Sequence, residues 1–243
     1  MNNQPTFTLG IKTNLGQFLH QLVQVMLVGF TIGMMRTALP ALAETEFGVP
    51  RNSFMLLTAF VVGFGFVKGT LNFVAGRLSE KIGRQRVLVL GWLFAIPIPV
   101  LIYVAPSWNW IVAATLLLGL NQGLTWSMTQ TSQLDLTRRD QRGLTLGLNE
   151  FSGYVGLALA GVITAYLATT IGTRLGILIF GLSTILSALF ISLFWIKDTR
   201  PWIHLHSPFA TTNTENKLPT TREIFWLMSW KNKSLMAICQ AGL

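Results

Sequence analysis

Six stretches of about twenty nearly uninterrupted apolar residues constrain this chain more than anything else in it. They run over about 17–39, 54–75, 87–105, 110–133, 144–168 and 175–196. As a helix rising about 1.5 Å per residue, each can cross a hydrocarbon core about 30 Å thick. The 243 residues are 51% hydrophobic and 11% charged, against roughly 25% charged in soluble domains, which excludes a single water-soluble core. The fold class that follows is an all-α integral membrane protein with a six-helix transmembrane bundle. With Cys239 as its one cysteine, the chain has no disulfide framework.

A net charge of +9 could suggest nucleic acid, but its distribution points to topology. If the N-terminus is cytoplasmic, the inside segments hold Lys12, then Arg77, Lys81, Arg84 and Arg86, then Arg138, Arg139 and Arg142. After the sixth span they hold Lys197, Arg200, Lys217, Arg222, Lys231 and Lys233, whereas the outside loops hold only Arg51 and Arg174. Fourteen against two is the positive-inside asymmetry. It predicts a multi-pass protein of an inner or plasma membrane with its N-terminus in the cytoplasm. "ALA" at 41–43 mimics a signal-peptide cleavage site, but the span before it is too long for one and contains Arg36.

The expected organisation is a cytoplasmic tail over 1–14, the bundle over 15–196, and a Pro-, Thr- and Asn-rich cytoplasmic linker over 197–232 with a short surface helix near 221–230. A new apolar run begins at 233–243. It reads as the start of a seventh span, so that the chain is expected to be a fragment of a longer protein. Pro40 and Gly48 read as stops after span 1, Ser107 as a helix cap, and Pro97 and Pro99 as the kink of span 3.

Polar residues divide the spans. Gln17, Gln24 and Thr31 recur every seven residues in span 1, and Gln122, Thr125, Thr129 and Gln133 form a stripe in span 4. Lys68 and Asn72 lie one turn apart in span 2, and Asn149 and Glu150 enter span 5 ahead of the small residues Gly153, Gly156 and Ala160. Polar side chains in lipid must face protein or a water-filled cavity. Spans 1, 2, 4 and 5 are therefore expected to surround a wet interior, with the plainer spans 3 and 6 outside.

Between spans 2 and 3 stands "GRLSEKIGRQR", residues 76–86. Topogenic charge accounts for its arginines. It does not account for the pattern of Gly76, Leu78, Glu80, Lys81, Gly83, Arg84 and Arg86, which resembles the loop 2–3 signature of the major facilitator superfamily of secondary transporters. The resemblance covers all six spans, the linker and the start of a seventh, and it implies the N-terminal half of such a transporter. It further implies inverted three-helix repeats, of which "KIGRQRVLVLG" and "TIGTRLGILIF" are a faint echo, with a site at the midplane between two halves. It makes Glu80, where the signature usually has Asp, a carboxylate of the cytoplasmic gate. It pairs Arg84 with an acid ending helix 4, here Asp135, and lets Gly76 and Gly83 turn the backbone. Two departures stand out: Gly119 where the family commonly has an Arg in helix 4, and no Gly-Pro element in helix 5. Both weigh against a standard multidrug antiporter.

Charge within a span is costly, about 2.5–3.5 kcal/mol even on the lenient scale. Arg36 can snorkel to the outer interface or serve the site. Lys68 lies too deep for comfortable snorkelling. Glu150, the only acid deep in any span, is either a structural carboxylate or the group that couples substrate to protons. Trp126 can pack or contact substrate. The expected substrate and coupling set is thus Glu150, Lys68, Arg36, Asn72, Gln122, Trp126 and Asn149. Two basic residues against one acid mildly favour an organic anion. His20, His204 and His206 assemble no metal pattern with Cys239, no phosphate loop is present, and no cofactor or catalytic set is expected. The resulting function is a secondary active transporter of a small organic solute, working by alternating access and driven by an ion or proton. A non-transporting half-module that assembles with another chain, and a polytopic membrane enzyme, are the competing readings.

Overall fold

Backbone that cannot bond to lipid must bond to itself, and in this computed structural model every regular element among the described residues is helical. The structure describes residues 8–50, 53–54, 62–206, 220–234 and 236–237. The chain divides into two compact units, Met1–His206 and Ser207–Leu243. The first contains α1 (Leu15–Phe47), α2 (Gly65–Ile82), α3 (Arg84–Ala95), α4 (Pro97–Val104), α5 (Trp108–Leu136), α6 (Arg142–Thr170), α7 (Thr173–Phe194) and α8 (Arg200–His206). The second contains α9 (Thr221–Trp226) and a wide turn, Leu227–Lys231. At the start of α9, Glu223 Oε2 accepts from the Thr220 N–H and hydroxyl at 2.6 and 2.8 Å, and the Glu223 N–H returns to Thr220 Oγ1 at 3.3 Å. This is a reciprocal cap.

Among the described residues, five helical stretches are long and apolar enough to cross a membrane: Leu15–Phe47, Arg84–Val104, Trp108–Leu136, Arg139–Thr170 and Thr173–Phe194. They correspond to the expected spans 1, 3, 4, 5 and 6. Of span 2, residues 55–61 lie outside the described residues, and α2 supplies its second part. Span 3 breaks at Ile96, where α4 starts with Pro97 in its first turn. Span 1 overruns its expected end. Pro40 sits inside α1, which continues to Phe47 and stops where Gly48 turns left-handed (φ 63°). Proline's missing N–H leaves only the carbonyl of Arg36, one turn back, without its helical donor, and one lost bond does not end a helix that packs on both sides of it.

α1 and α5 are the most buried helices, and amides join them to their neighbours. The polar stripes of spans 1 and 4, expected to line a wet interior, instead face neighbouring helices. Gln24 is wholly buried; its Nε2 donates to the Ala188 carbonyl of α7 at 2.9 Å and its Oε1 accepts from Trp92 Nε1 of α3 at 2.7 Å. Gln17 Nε2 donates to the Trp195 carbonyl at 2.8 Å, and Gln17 Oε1 accepts from the Lys197 N–H at 2.9 Å. Gln122 donates to the Val28 carbonyl and to Thr31 Oγ1 of α1, both at 3.0 Å. Gln133 donates to Asn149 Oδ1 of α6 at 3.1 Å. Periodicity shows which polar residues share a face, not what that face meets, and here Gln24, Gln122 and Gln133 each bond to a neighbouring helix through at least one amide atom. Exposed apolar faces lie on α2, whose only buried residues are Ala75 and Ser79, on α6, which presents Phe151, Tyr154, Val162 and Tyr166, and on α7, which presents Ile179, Leu186, Phe190 and Phe194.

The α1–α6 contact is a backbone-to-backbone approach. A Cβ at Gly29 would strike the Gly153 carbonyl, one at Gly33 the Leu157 carbonyl, and one at Gly156 the Met26 carbonyl. The small face expected on span 5 thus meets a Gly-x-x-x-Gly face on span 1. Gly156→Ala should lower stability by about 1–3 kcal/mol by forcing the helices apart. Gly147→Ala, with open space around its Cβ, should be neutral or slightly stabilising. Thermal unfolding in detergent separates the two, and equal melting temperatures would refute the close approach.

Candidate functional site

α2 and α6 both pack on α5, and the strip of α5 between them carries Trp126, Ser127 and Gln130. Two glycines set this geometry. At Gly123 a Cβ would meet Leu71 Cβ at 2.6 Å and the Lys68 carbonyl at 2.9 Å, so the absent side chain lets the 68–72 turn of α2 lie against α5. At Gly153 a Cβ would meet the Trp126 ring at 2.6 Å, so the indole lies across α6. Lys68 Nζ stands over the Trp126 ring, 4.9 Å from its centroid, and 5.8 Å from that of Phe64. At the N–H edge of the indole, Glu150 Oε1 accepts from Trp126 Nε1 at 3.0 Å and from Gln130 Nε2 at 2.6 Å. Ser127 Oγ donates to Asn72 Oδ1 at 2.9 Å. Glu150 and Arg36 both act electrostatically on Lys68, with opposite signs.

The structure therefore gathers Lys68, Trp126 and Glu150 into one constellation, places Asn72 beside it through Ser127, and leaves Arg36 exposed on α1 within electrostatic reach. Gln122 and Asn149 do not join it; both are wholly buried in the helix-to-helix bonds described above. Their polarity in an apolar span suggested a site, whereas each holds a neighbouring helix. Gln130 and Ser127 escaped the sequence reading because they lie beside the span 4 amide stripe rather than on it. The usable signal was Trp126 and Gln130 one turn apart, on the face that also carries Gly119 and Gly123.

A second cluster forms where α2, α3 and α5 meet the residues after α7. Arg84, 3% exposed, donates from Nε to Asp135 Oδ2 at 3.1 Å, from Nη2 to Glu80 Oε1 at 2.7 Å and from Nη1 to Ser79 Oγ at 3.4 Å. Thr199 Oγ1 donates to the same Asp135 oxygen at 2.6 Å. The Arg84 N–H donates to Asp198 Oδ1 at 3.2 Å, and Asp198 pairs with Arg200 at 2.6 Å. Gly83 turns between α2 and α3 at φ 106°, and a Cβ there would strike the Asp198 carboxylate. Gly76 has no such role: it lies inside α2 with open space around its Cβ. Only one of the two glycines in the 76–86 pattern turns the chain.

The sequence pattern of the family described as Major Facilitator Superfamily matches residues 22–243. The chain belongs to the major facilitator superfamily. It is also 26% identical over 130 residues to the MFS-type transporter paaT of Penicillium rubens, a stretch that is 53% of this chain and 23% of that one. The family is one of multi-pass membrane transporters, and the apolar helices above suit this facilitator to a bilayer.

The second cluster also draws in residues that the sequence placed in a linker. Asp198, Thr199 and Arg200 follow the last span and close over Gly83 and Asp135. Residues 8–14 are likewise fastened rather than loose: the Gly10 N–H donates to the Leu136 carbonyl at 2.8 Å, and Asn14 Oδ1 accepts from Trp202 Nε1 at 3.1 Å. Partial burial would raise the Asp198 carboxyl, but hydrogen bonds from the Arg200 side chain and from the Arg200 and Arg84 N–H groups outweigh it and hold it below its usual range. A depressed carboxyl stabilises the fold above its unfolded-state pKa, and this contribution is lost as pH falls through the lower folded value. Asp198→Asn should therefore be less stable than the parent at neutral pH and converge with it in acid. Unfolding followed against pH checks this, and a constant gap down to acid would contradict it.

Proposed function

We propose that this chain is one half of a secondary active transporter that moves a small organic solute across a cytoplasmic-type membrane by alternating access, with the proton as coupling ion. The observation that carries the proposal is the Lys68–Trp126–Glu150 constellation. It places one cation over the face of an indole and one acid at its N–H edge, in apolar helices. Intramembrane ionisable groups are expensive, and their use in substrate binding or proton relay explains their retention. α2 and α6 carry exposed apolar residues, and a second six-helix bundle lying on them would complete a path between the halves. The Glu80–Arg84–Asp135 cluster, tied to Asp198 and Arg200, then serves as a cytoplasmic lock within this half. Gln122 and Asn149 serve as cross-links that keep the half rigid while the halves rock.

Proteoliposomes containing the whole transporter and a trapped pH-sensitive dye test this reading. Adding a transported solute outside should change the lumenal pH, and a protonophore should abolish solute accumulation. Accumulation that follows membrane potential or a sodium gradient, and ignores pH, would remove the proton from the mechanism.

A further inference from the structure

We infer that the groove between α2 and α6 takes an organic anion that also carries a neutral hydrogen-bond donor, such as a hydroxy-substituted carboxylate. The inference rests on reading this groove as the transport site and goes further by naming the chemistry of its occupant.

Lys68 is the first reason. Its ammonium lies over the faces of Trp126 and Phe64, 4.9 and 5.8 Å from their centroids. Among the described residues it makes no ion pair. Ring faces attract a cation, but they do not supply the full counter-charge that a desolvated ammonium requires. The negative charge nearest in function, Glu150, is already engaged: one oxygen takes both the Trp126 and the Gln130 donors. Arg36 adds a second positive charge acting on Lys68. Lys68 and Arg36 against Glu150 leave one positive charge unbalanced around Lys68, which an entering carboxylate offsets. A substrate ammonium would instead meet Lys68 and Arg36 as like charges.

Glu150 is the second reason. Its donors fix one carboxylate oxygen, and the other has no partner among the described residues. That oxygen can accept one hydrogen bond from a bound molecule. The groove thus offers an anion receptor on α2 and an acceptor on α6, with the Trp126 indole between them as a flat apolar floor. A molecule that satisfies both needs an anionic end, a donor and an apolar body thin enough to lie on an aromatic face.

The test is equilibrium binding to the purified transporter in nanodiscs, read by ligand-induced thermal shift. The probes are two matched sets: 4-hydroxybenzoate, 4-hydroxybenzyl alcohol and 4-hydroxybenzylamine, then 3-hydroxybutyrate with its diol and amino-alcohol analogues. In at least one set the acid should bind most tightly. Lys68→Gln should weaken that acid by about ten- to a hundredfold, the usual loss of a hydrogen bond to a charged group. It should leave the neutral alcohol within about twofold. Lys68→Arg should restore most of the acid's affinity, which separates lost charge from lost folding. No preference for the acid in either set, no binding by any probe, or undiminished acid binding by Lys68→Gln overturns the inference. Acid binding that needs Lys68 but moves no protons leaves the anion site standing and removes the transport reading. Proton movement driven by the amines does the reverse.

Discussion

Replacing Arg84 by Gln should lower the stability of this chain by about 3–5 kcal/mol. The size follows from burial. Arg84 is 3% exposed and Asp135 10% exposed, so removing the guanidinium strands a carboxylate that retains only the Thr199 hydroxyl. Breaking a buried pair from one side carries this cost because the remaining charge has no water to turn to. Glu80 is the internal comparison. It touches the same guanidinium at 2.7 Å but is 67% exposed, and exposed pairs contribute about 0–1 kcal/mol. Glu80→Gln should therefore shift the melting temperature little, whereas Arg84→Gln shifts it by about 5–15 °C. The double variant Arg84→Gln with Asp135→Asn should regain part of the loss, since the stranded charge is gone. If Arg84→Gln melts no lower than Glu80→Gln, the buried pair does not hold the α2–α3 turn to the end of α5.

How legible this arrangement was in the sequence varied with the kind of signal. The apolar run length placed spans 1, 3, 4, 5 and 6, because crossing a bilayer as helix is a one-dimensional requirement. The pairing of Arg84 with Asp135 was legible through the pattern around residues 76–86, yet Asp198 and Thr199, which complete it, were not. They come from 50 residues or more away in the chain, and nothing local marks a linker residue that folds back. Polar stripes misled for a related reason. Gln24 and Gln122 looked like the lining of a cavity, but a side-chain amide that donates to a neighbouring helix leaves the same trace in sequence. The glycines of α1 show the converse failure. Gly29 and Gly33 look like flexible or incidental residues until the α6 backbone is seen against them. The groove itself was half visible: Lys68, Trp126 and Glu150 stood out as charge and aromatic in apolar sequence. Gln130, neutral and adjacent to a stronger stripe, did not.

Glu150→Gln should abolish proton-driven accumulation of solute while leaving downhill exchange measurable. Glu150 is held in place by Trp126 Nε1 and Gln130 Nε2, both donating to one oxygen. A glutamine amide oxygen accepts the same two donors, so the indole and the floor of the groove keep their positions. The variant loses the capacity to gain and release a proton, and with it the negative charge acting on Lys68 and the second acceptor oxygen. A gradient of one pH unit is worth about 1.4 kcal/mol per proton, enough for about tenfold accumulation at one proton per solute. The parent should approach that ratio in proteoliposomes, and Glu150→Gln should stay near unity at any imposed gradient. Counterflow, in which labelled solute enters against unlabelled solute at equal pH, needs no titrating group and should persist within about an order of magnitude. Trp126→Phe supplies the control for geometry. It keeps an apolar floor but removes one donor to the carboxylate, and should reduce counterflow and accumulation together. Should Glu150→Gln accumulate solute as the parent does, Glu150 is a structural acceptor for Trp126 and Gln130, and the coupling proton travels on a group outside this groove.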